Sequence, residues 1–125
     1  MALIEKIKAR GARAAMAINP DGDVAGLRPY LPYLDMVLVM SVFPGFGGQK
    51  FMAEVLEGVA RLRTEFDFTG EIEMDGGVGP ATIEACSAAG TNVFVAGTAI
   101  FGAQDVARRI QDLREVASSA RPALQ

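Results

Sequence analysis

Met36-Val37-Leu38-Val39-Met40-Ser41-Val42 runs directly into Phe43-Pro44-Gly45-Phe46-Gly47-Gly48. The first seven residues are apolar on both faces of an extended chain, the pattern of a parallel strand buried between two layers. The glycines that follow let the backbone turn sharply and leave its N–H groups unshielded. Phe51, Met52, Val55, Leu56, Val59, Leu62 and Phe66 then recur at helical spacing. This spacing predicts the longest amphipathic helix of the chain. A buried strand, a glycine loop and an amphipathic helix make one strand–loop–helix unit, and the rest of the chain repeats it.

Upstream, Leu3, Ile4 and Ile7 share one face of a helix that Gly11 ends. A strand is expected near 14–18, stopped by Asn19-Pro20-Asp21-Gly22. Val24 to Leu34 reads as a helix or as helical turns, because Pro29 and Pro32 interrupt it. Downstream, strands are expected near 71–75 and 93–97, the second of them buried. Each precedes a helix, the first opening at Pro80 with Ile83, Cys86 and Ala89 on one face, the second carrying Val106, Ile110, Leu113 and Val116. The order is one helix, then four strand–helix units over a single domain spanning 1–125, with 118–125 as a frayed tail. Such alternation implies a parallel sheet with right-handed crossovers. Four units are half of an eight-stranded barrel, or a small open sheet.

Composition narrows the function classes. Hydrophobic residues make up 50% of the chain, enough for a real core. The formal net charge of -3 speaks against a nucleic-acid partner, which calls for a basic surface. No apolar run approaches a membrane span. The first residues mix charges among apolar side chains and lack a signal-peptide core, so a cytoplasmic location is expected. The single cysteine, Cys86, excludes an internal disulfide framework, and there is no histidine, the commonest metal ligand.

In parallel α/β folds ligands bind at the C-terminal ends of the strands, and three strand ends here are glycine-rich. Pro44-Gly45-Phe46-Gly47-Gly48-Gln49 reads equally as an anion cradle and as a plain strand-to-helix turn. Asp75-Gly76-Gly77-Val78 is turn chemistry by composition, but its position aims the Asp75 carboxylate into the site. Glu73 has the same side-chain parity and lies deeper, as a supporting carboxylate. Ala96-Gly97-Thr98-Ala99 offers an exposed N–H and a hydroxyl for phosphate; close helix–strand packing is the other reading.

Taken together, Ala17-Ile18-Asn19-Pro20, Val39-Met40-Ser41-Val42-Phe43-Pro44-Gly45-Phe46-Gly47-Gly48-Gln49-Lys50-Phe51, Asp75-Gly76-Gly77-Val78 and Val95-Ala96-Gly97-Thr98-Ala99-Ile100-Phe101 resemble, in that order, the last four strands of the ribulose-phosphate 3-epimerases. The similarity runs from about Leu3 to Arg114. It implies half of a (β/α)8 TIM barrel and an isomerase that interconverts ribulose 5-phosphate and xylulose 5-phosphate by proton transfer at C3. By resemblance Asp75 is one of two acid/base aspartates and also a metal ligand. Gly45, Phe46, Gly47, Gly48, Gly76, Gly77, Gly97 and Thr98 hold the substrate and its phosphate, and Met40 lines the reacting carbons or, alternatively, fills a gap in the core. A divalent metal (Zn, Fe, Mn or Co) is the implied cofactor. The other aspartate and two histidine ligands belong to the family's first four strands, which this chain does not contain, so it is not expected to retain the metal alone. Phe43 replaces the family's usual Asn, and Met74 a smaller aliphatic residue. The alternatives are a catalytically incomplete phosphate-binding half-barrel, or a fragment active only beside an N-terminal half. An open sheet with unpaired edges favours self-association, most simply a dimer.

Overall fold

The computed structural model describes residues 1–45 and 49–122. Helix α1 (Ala2–Ala9) leads into strand β1 (Ala15–Ile18). Two 3₁₀ turns, Val24–Leu27 and Leu31–Tyr33, connect β1 to β2 (Met36–Met40). The order continues with α2 (Val55–Thr64), β3 (Glu71–Asp75), α3 (Ile83–Ala89), β4 (Val93–Val95), α4 (Thr98–Phe101) and α5 (Val106–Ala120). The four strands form one sheet in sequential order, every neighbouring pair parallel.

Local chemistry sets these boundaries. Gly11, at φ +81°, ends α1 as expected, its N–H donating to the Lys8 carbonyl at 2.9 Å. The prolines at 29 and 32 leave only helical turns between β1 and β2, the second of the two expected forms. The Asp23 and Asp105 side chains cap the 3₁₀ turn at Val24 and α5, each accepting a backbone N–H. Asp35 seeds the sheet: its carboxylate accepts the Ala14 N–H at 2.8 Å, its own N–H donates to Ala14, and its carbonyl accepts from Glu71.

Several expectations shift. The longest helix is α5, with 15 residues against 10 in α2. Phe51 and Met52 precede α2, because the Met52 N–H is taken by the Ser41 carbonyl at 2.8 Å and cannot enter a helical ladder. α3 opens at Ile83 rather than Pro80, since Gly79 closes a turn by accepting from Thr82 and Ile83. Residues 118–120, expected to fray, continue α5, where the Ser87 hydroxyl on α3 donates to the neighbouring Ala117 carbonyl at 2.5 Å. Residues 123–125 of that tail lie outside the described residues. β2 stops at Met40 and β4 at Val95, short of the expected ends.

The two faces of the sheet differ. Val37, Val39, Ile72 and Met74 point to the helical layer and are buried with Val59, Leu62 and Cys86. Cys86 lies so deep that burial raises its thiol to about 11. The opposite face carries Ala15, Ala17, Met36, Leu38, Met40, Glu71, Glu73, Asp75, Val93 and Val95, all half-buried or exposed. Register places Ala17, Leu38, Glu73 and Val93 in one row and Met40, Asp75 and Val95 in the next. Rows of this kind fill the interior of a (β/α)8 barrel. The fold is therefore half of such a barrel with its inner face open. β4, expected to be buried, is an edge strand with Val95 40% exposed, because no further strand or inner layer among the described residues covers it.

Arg63, on the last turn of α2, ties the base of the sheet together. Its guanidinium donates to the carbonyls of Phe68, Gly70 and Gly90 at 2.7 to 3.0 Å. Burial lowers its pKa from the ordinary arginine value, yet a guanidinium stays charged. Arg63→Ala strands three carbonyls at once and is expected to destabilise the chain by about 3 kcal/mol in urea titration. A change below roughly 0.5 kcal/mol would show that water replaces those bonds.

Candidate functional site

Three loops meet at the C-terminal ends of β2, β3 and β4. They enclose a cavity of about 560 Å3 lined by Val42, Gln49, Asp75 to Thr82, Val95 and Gly97 to Ala99. A cleft of about 640 Å3 opens at the other end of the sheet, around Arg28, Asp35, Phe66 and Gly70. The first is where parallel α/β folds place ligands, whereas the second sits at the N-terminal ends, whose residues serve stability.

Asp75 ends β3 on the open face, paired in register with Met40 on β2. The two side chains therefore stand beside each other at the mouth, a methionine next to a carboxylate. Glu73 shares the face two residues deeper, and its side chain makes no hydrogen bond or ion pair among the described residues.

Gly76 and Gly77 adopt φ +130° and +69°, conformations that strain any residue with a Cβ. They are also crowded. A Cβ on Gly76 would lie 2.6 Å from Val42 Cγ2 and 2.8 Å from Val42 N, and one on Gly77 would lie 2.8 Å from the Phe51 N. A Cβ added at Gly79 would lie 3.0 Å from Ala99 Cβ, so the second and third loops pass close to each other. Gly97 differs: its φ is -106° and a Cβ there would meet nothing within 4 Å. Gly97 precedes α4 and Thr98 opens it, both exposed to the cavity.

The first glycine loop is only partly within the described residues. Gly45 is there, at φ +109°; Phe46, Gly47 and Gly48, expected to grip the substrate, lie outside them. The loop's two ends are stapled. Gln49 Nε2 donates to the Phe43 carbonyl at 2.6 Å, and the Phe43 N–H donates to Gln49 Oε1 at 3.1 Å. Phe43 takes part in this staple through its backbone N–H and carbonyl.

Sequence reasoning singled out Met40, Gly45, Phe46, Gly47, Gly48, Asp75, Gly76, Gly77, Gly97 and Thr98; the fold brings Asp75, Gly76, Gly77, Gly97 and Thr98 to one cavity, Met40 and Gly45 are not among its lining, and residues 46–48 lie outside the described residues. Sequence reasoning missed Val42, Gln49, Val78, Gly79, Pro80, Ala81, Thr82, Val95 and Ala99 as lining residues. Thr82 carried a signal, a Thr just before an apolar helical run. The donor set does not fit a divalent cation: among the described residues no three His, Cys, Asp or Glu side chains converge, and Asp75 is the one carboxylate among the described residues lining the cavity.

The fold and the mouth define the class: a barrel-type α/β protein with a glycine-lined, carboxylate-bearing site at the C-terminal ends of its strands. Residues 1–101 match the profile of the Ribulose-phosphate 3 epimerase family. The ribulose-phosphate 3-epimerase of Eremothecium gossypii is 53% identical over 103 residues, covering 82% of this chain and 43% of that protein. The cytoplasmic isoform from Oryza sativa subsp. japonica is 44% identical, over 90% of this chain and 50% of the relative. In structure, 3-hexulose-6-phosphate synthase from Salmonella typhimurium superposes with a TM-score of 0.67 at 20% identity, covering 94% of this chain and 55% of the synthase; that likeness shows the fold. The chain belongs to the ribulose-phosphate 3-epimerase family, and it spans about half the length of the curated relatives it matches.

Proposed function

We propose that this chain is the phosphate-holding half of an epimerase site, acting on D-ribulose 5-phosphate and D-xylulose 5-phosphate with Asp75 as one of two acid/base groups. The observation that carries the reading is the cavity that the second and third glycine loops enclose with Asp75. In the proposed reaction the Asp75 carboxylate takes the C3 proton, and the C–H electron pair moves toward the C2 carbonyl to give an enediolate. A proton returned to the opposite face of C3 inverts that centre. Met40 offers an apolar wall beside the reacting carbons, which keeps water from the enediolate. Gly76, Gly77, Gly97 and Thr98, with 45–48 of the first loop, receive the phosphate through backbone N–H groups and the Thr98 hydroxyl.

The second acid must face Asp75 across the substrate. Glu73, the nearest carboxylate in sequence on this face, lies on the same strand and so on the same side. The isolated chain is accordingly a phosphate-binding module with little or no turnover, and catalysis belongs to a completed barrel. The divalent metal implied by the family would need ligands from that other half, Asp75 being this chain's share. Among the described residues no helix is long and apolar enough to cross a membrane. A cytoplasmic setting is part of the reading, supported by the name of the rice relative.

Inorganic phosphate or ribulose 5-phosphate at millimolar concentration is expected to raise the melting temperature, because a ligand bound only by the native state stabilises it. At a hundred times Kd the stabilisation is about 2.7 kcal/mol. No shift across the titration would remove the phosphate-holding reading.

Self-association is the second element of the proposal. Among the described residues β1 and β4 are the edges of the sheet, Met36, Leu38 and Met40 are half-exposed, and Phe101 is 79% exposed. Two copies related by a two-fold axis along the strands would set β4 of each against β1 of the other and close eight strands. Light scattering is expected to give twice the 13.2 kDa chain mass; a monodisperse monomer refutes this.

A further inference from the structure

We infer that Ser41 and Thr82 are positioning residues: two hydroxyls that hold the Gly76 and Gly77 carbonyls and so preset the following amides to receive an oxyanion. The inference rests on the phosphate-holding reading above and assigns the groups that shape it.

Ser41 is fully buried, just past the end of β2. All three of its polar groups are engaged near the mouth. Its N–H donates to the Asp75 carbonyl at 3.0 Å, its carbonyl accepts from Met52, and its hydroxyl donates to the Gly76 carbonyl. Thr82 works from the other side. It occupies the cap position of α3, yet its side chain makes no capping bond to that helix. The hydroxyl turns back into the loop instead, accepting the Gly79 N–H at 3.0 Å and donating to the Gly77 carbonyl at 3.1 Å. A Thr that forgoes a cap worth about 1 kcal/mol has its hydroxyl committed to the loop.

The consequence follows from peptide geometry. A peptide unit is planar and trans, so its C=O and the next N–H point in opposite directions. Anchoring the Gly76 carbonyl on Ser41 turns the Gly77 N–H away from the protein interior. Anchoring the Gly77 carbonyl on Thr82 likewise fixes the direction of the Val78 N–H, opposite to the Thr82 hydroxyl. Neither N–H has an acceptor among the described residues, and both residues line the cavity. Two successive amides, fixed in direction and left without an internal acceptor, are donors available to a phosphate oxygen. Because the carbonyls are already held, the ligand does not have to order the loop.

The test uses inorganic phosphate as probe and the full chain, at a temperature well below each variant's melting transition. Binding is followed by titration calorimetry and by the amide resonances of Gly77 and Val78. In the wild type those two resonances are expected to move with phosphate. Thr82→Val keeps the shape but removes the hydroxyl, and should weaken binding about tenfold; Thr82→Ser restores the hydroxyl and should bind within about twofold of wild type. Ser41→Ala should weaken binding similarly, and if it fails to fold the Thr82 pair decides alone. Thr82→Val that melts earlier but binds phosphate like wild type would show a purely structural hydroxyl and overturn the assignment, leaving the phosphate reading in place. A wild type that binds no phosphate overturns both.

Discussion

Gly76→Ala and Gly77→Ala are each expected to destabilise the chain by about 3 kcal/mol, lowering the melting temperature by roughly 10 °C, and to abolish phosphate binding. Two costs add. At φ +130° and +69° a side chain is strained whatever the space around it. The new Cβ also meets atoms that cannot swing aside: the Val42 backbone N at 2.8 Å for Gly76, and the Phe51 N, Cβ and Cα at 2.8 to 3.0 Å for Gly77. Moving Val42 or Phe51 would shift the end of β2 and the segment that enters α2, so relaxation damages the mouth. Gly97→Ala is the internal control. Its Cβ has open space, so the stability change should stay within roughly 0.5 kcal/mol. Thermal melts of the three variants, with and without phosphate, decide the matter. Equal tolerance at all three positions would mean that the loop is not held as described.

The second large effect concerns chemistry. Asp75→Asn, in a barrel completed by an N-terminal half from a relative, is expected to reduce epimerisation by about a thousandfold. Asn keeps the size and hydrogen-bonding shape of Asp but is not a useful base. Binding of phosphate should change little, because the amides of the glycine loops do not depend on the carboxylate. A coupled assay of xylulose 5-phosphate formation, with phosphate binding measured in parallel, separates the two roles. Turnover within about twofold of wild type would make Asp75 a turn residue and remove it from the mechanism. Loss of both turnover and phosphate binding would instead point to a collapsed mouth.

Alternating buried strands and amphipathic helices, with glycine clusters after the strands, are local patterns, and they were legible without coordinates. The strand Met36–Met40, the turn at Gly11 and the helix carrying Val55, Val59 and Leu62 follow from side-chain periodicity and backbone preference alone. The Asp75-Gly76-Gly77 and Gly97-Thr98 segments declared themselves the same way, since strand ends in parallel folds gather ligands. Three glycines that look alike in sequence were not separable, however. Gly76 and Gly77 are compelled by left-handed backbone and by Val42 and Phe51, which come from 26 to 34 residues away, whereas Gly97 is not. The 15-residue α5 outlasted its expected end because α3 packs against it, and β4 proved to be an edge rather than a buried strand because nothing among the described residues covers it. Thr82 shows the limit most clearly. Its sequence position says helix cap, but only the folded loop shows its hydroxyl bonded to Gly77 and Gly79. Periodicity and backbone preference act over a few residues, so the sequence by itself determined the elements and their order. Which groups meet at the mouth, and which face of the sheet stays open, depends on contacts between distant segments, and only the tertiary structure decided them.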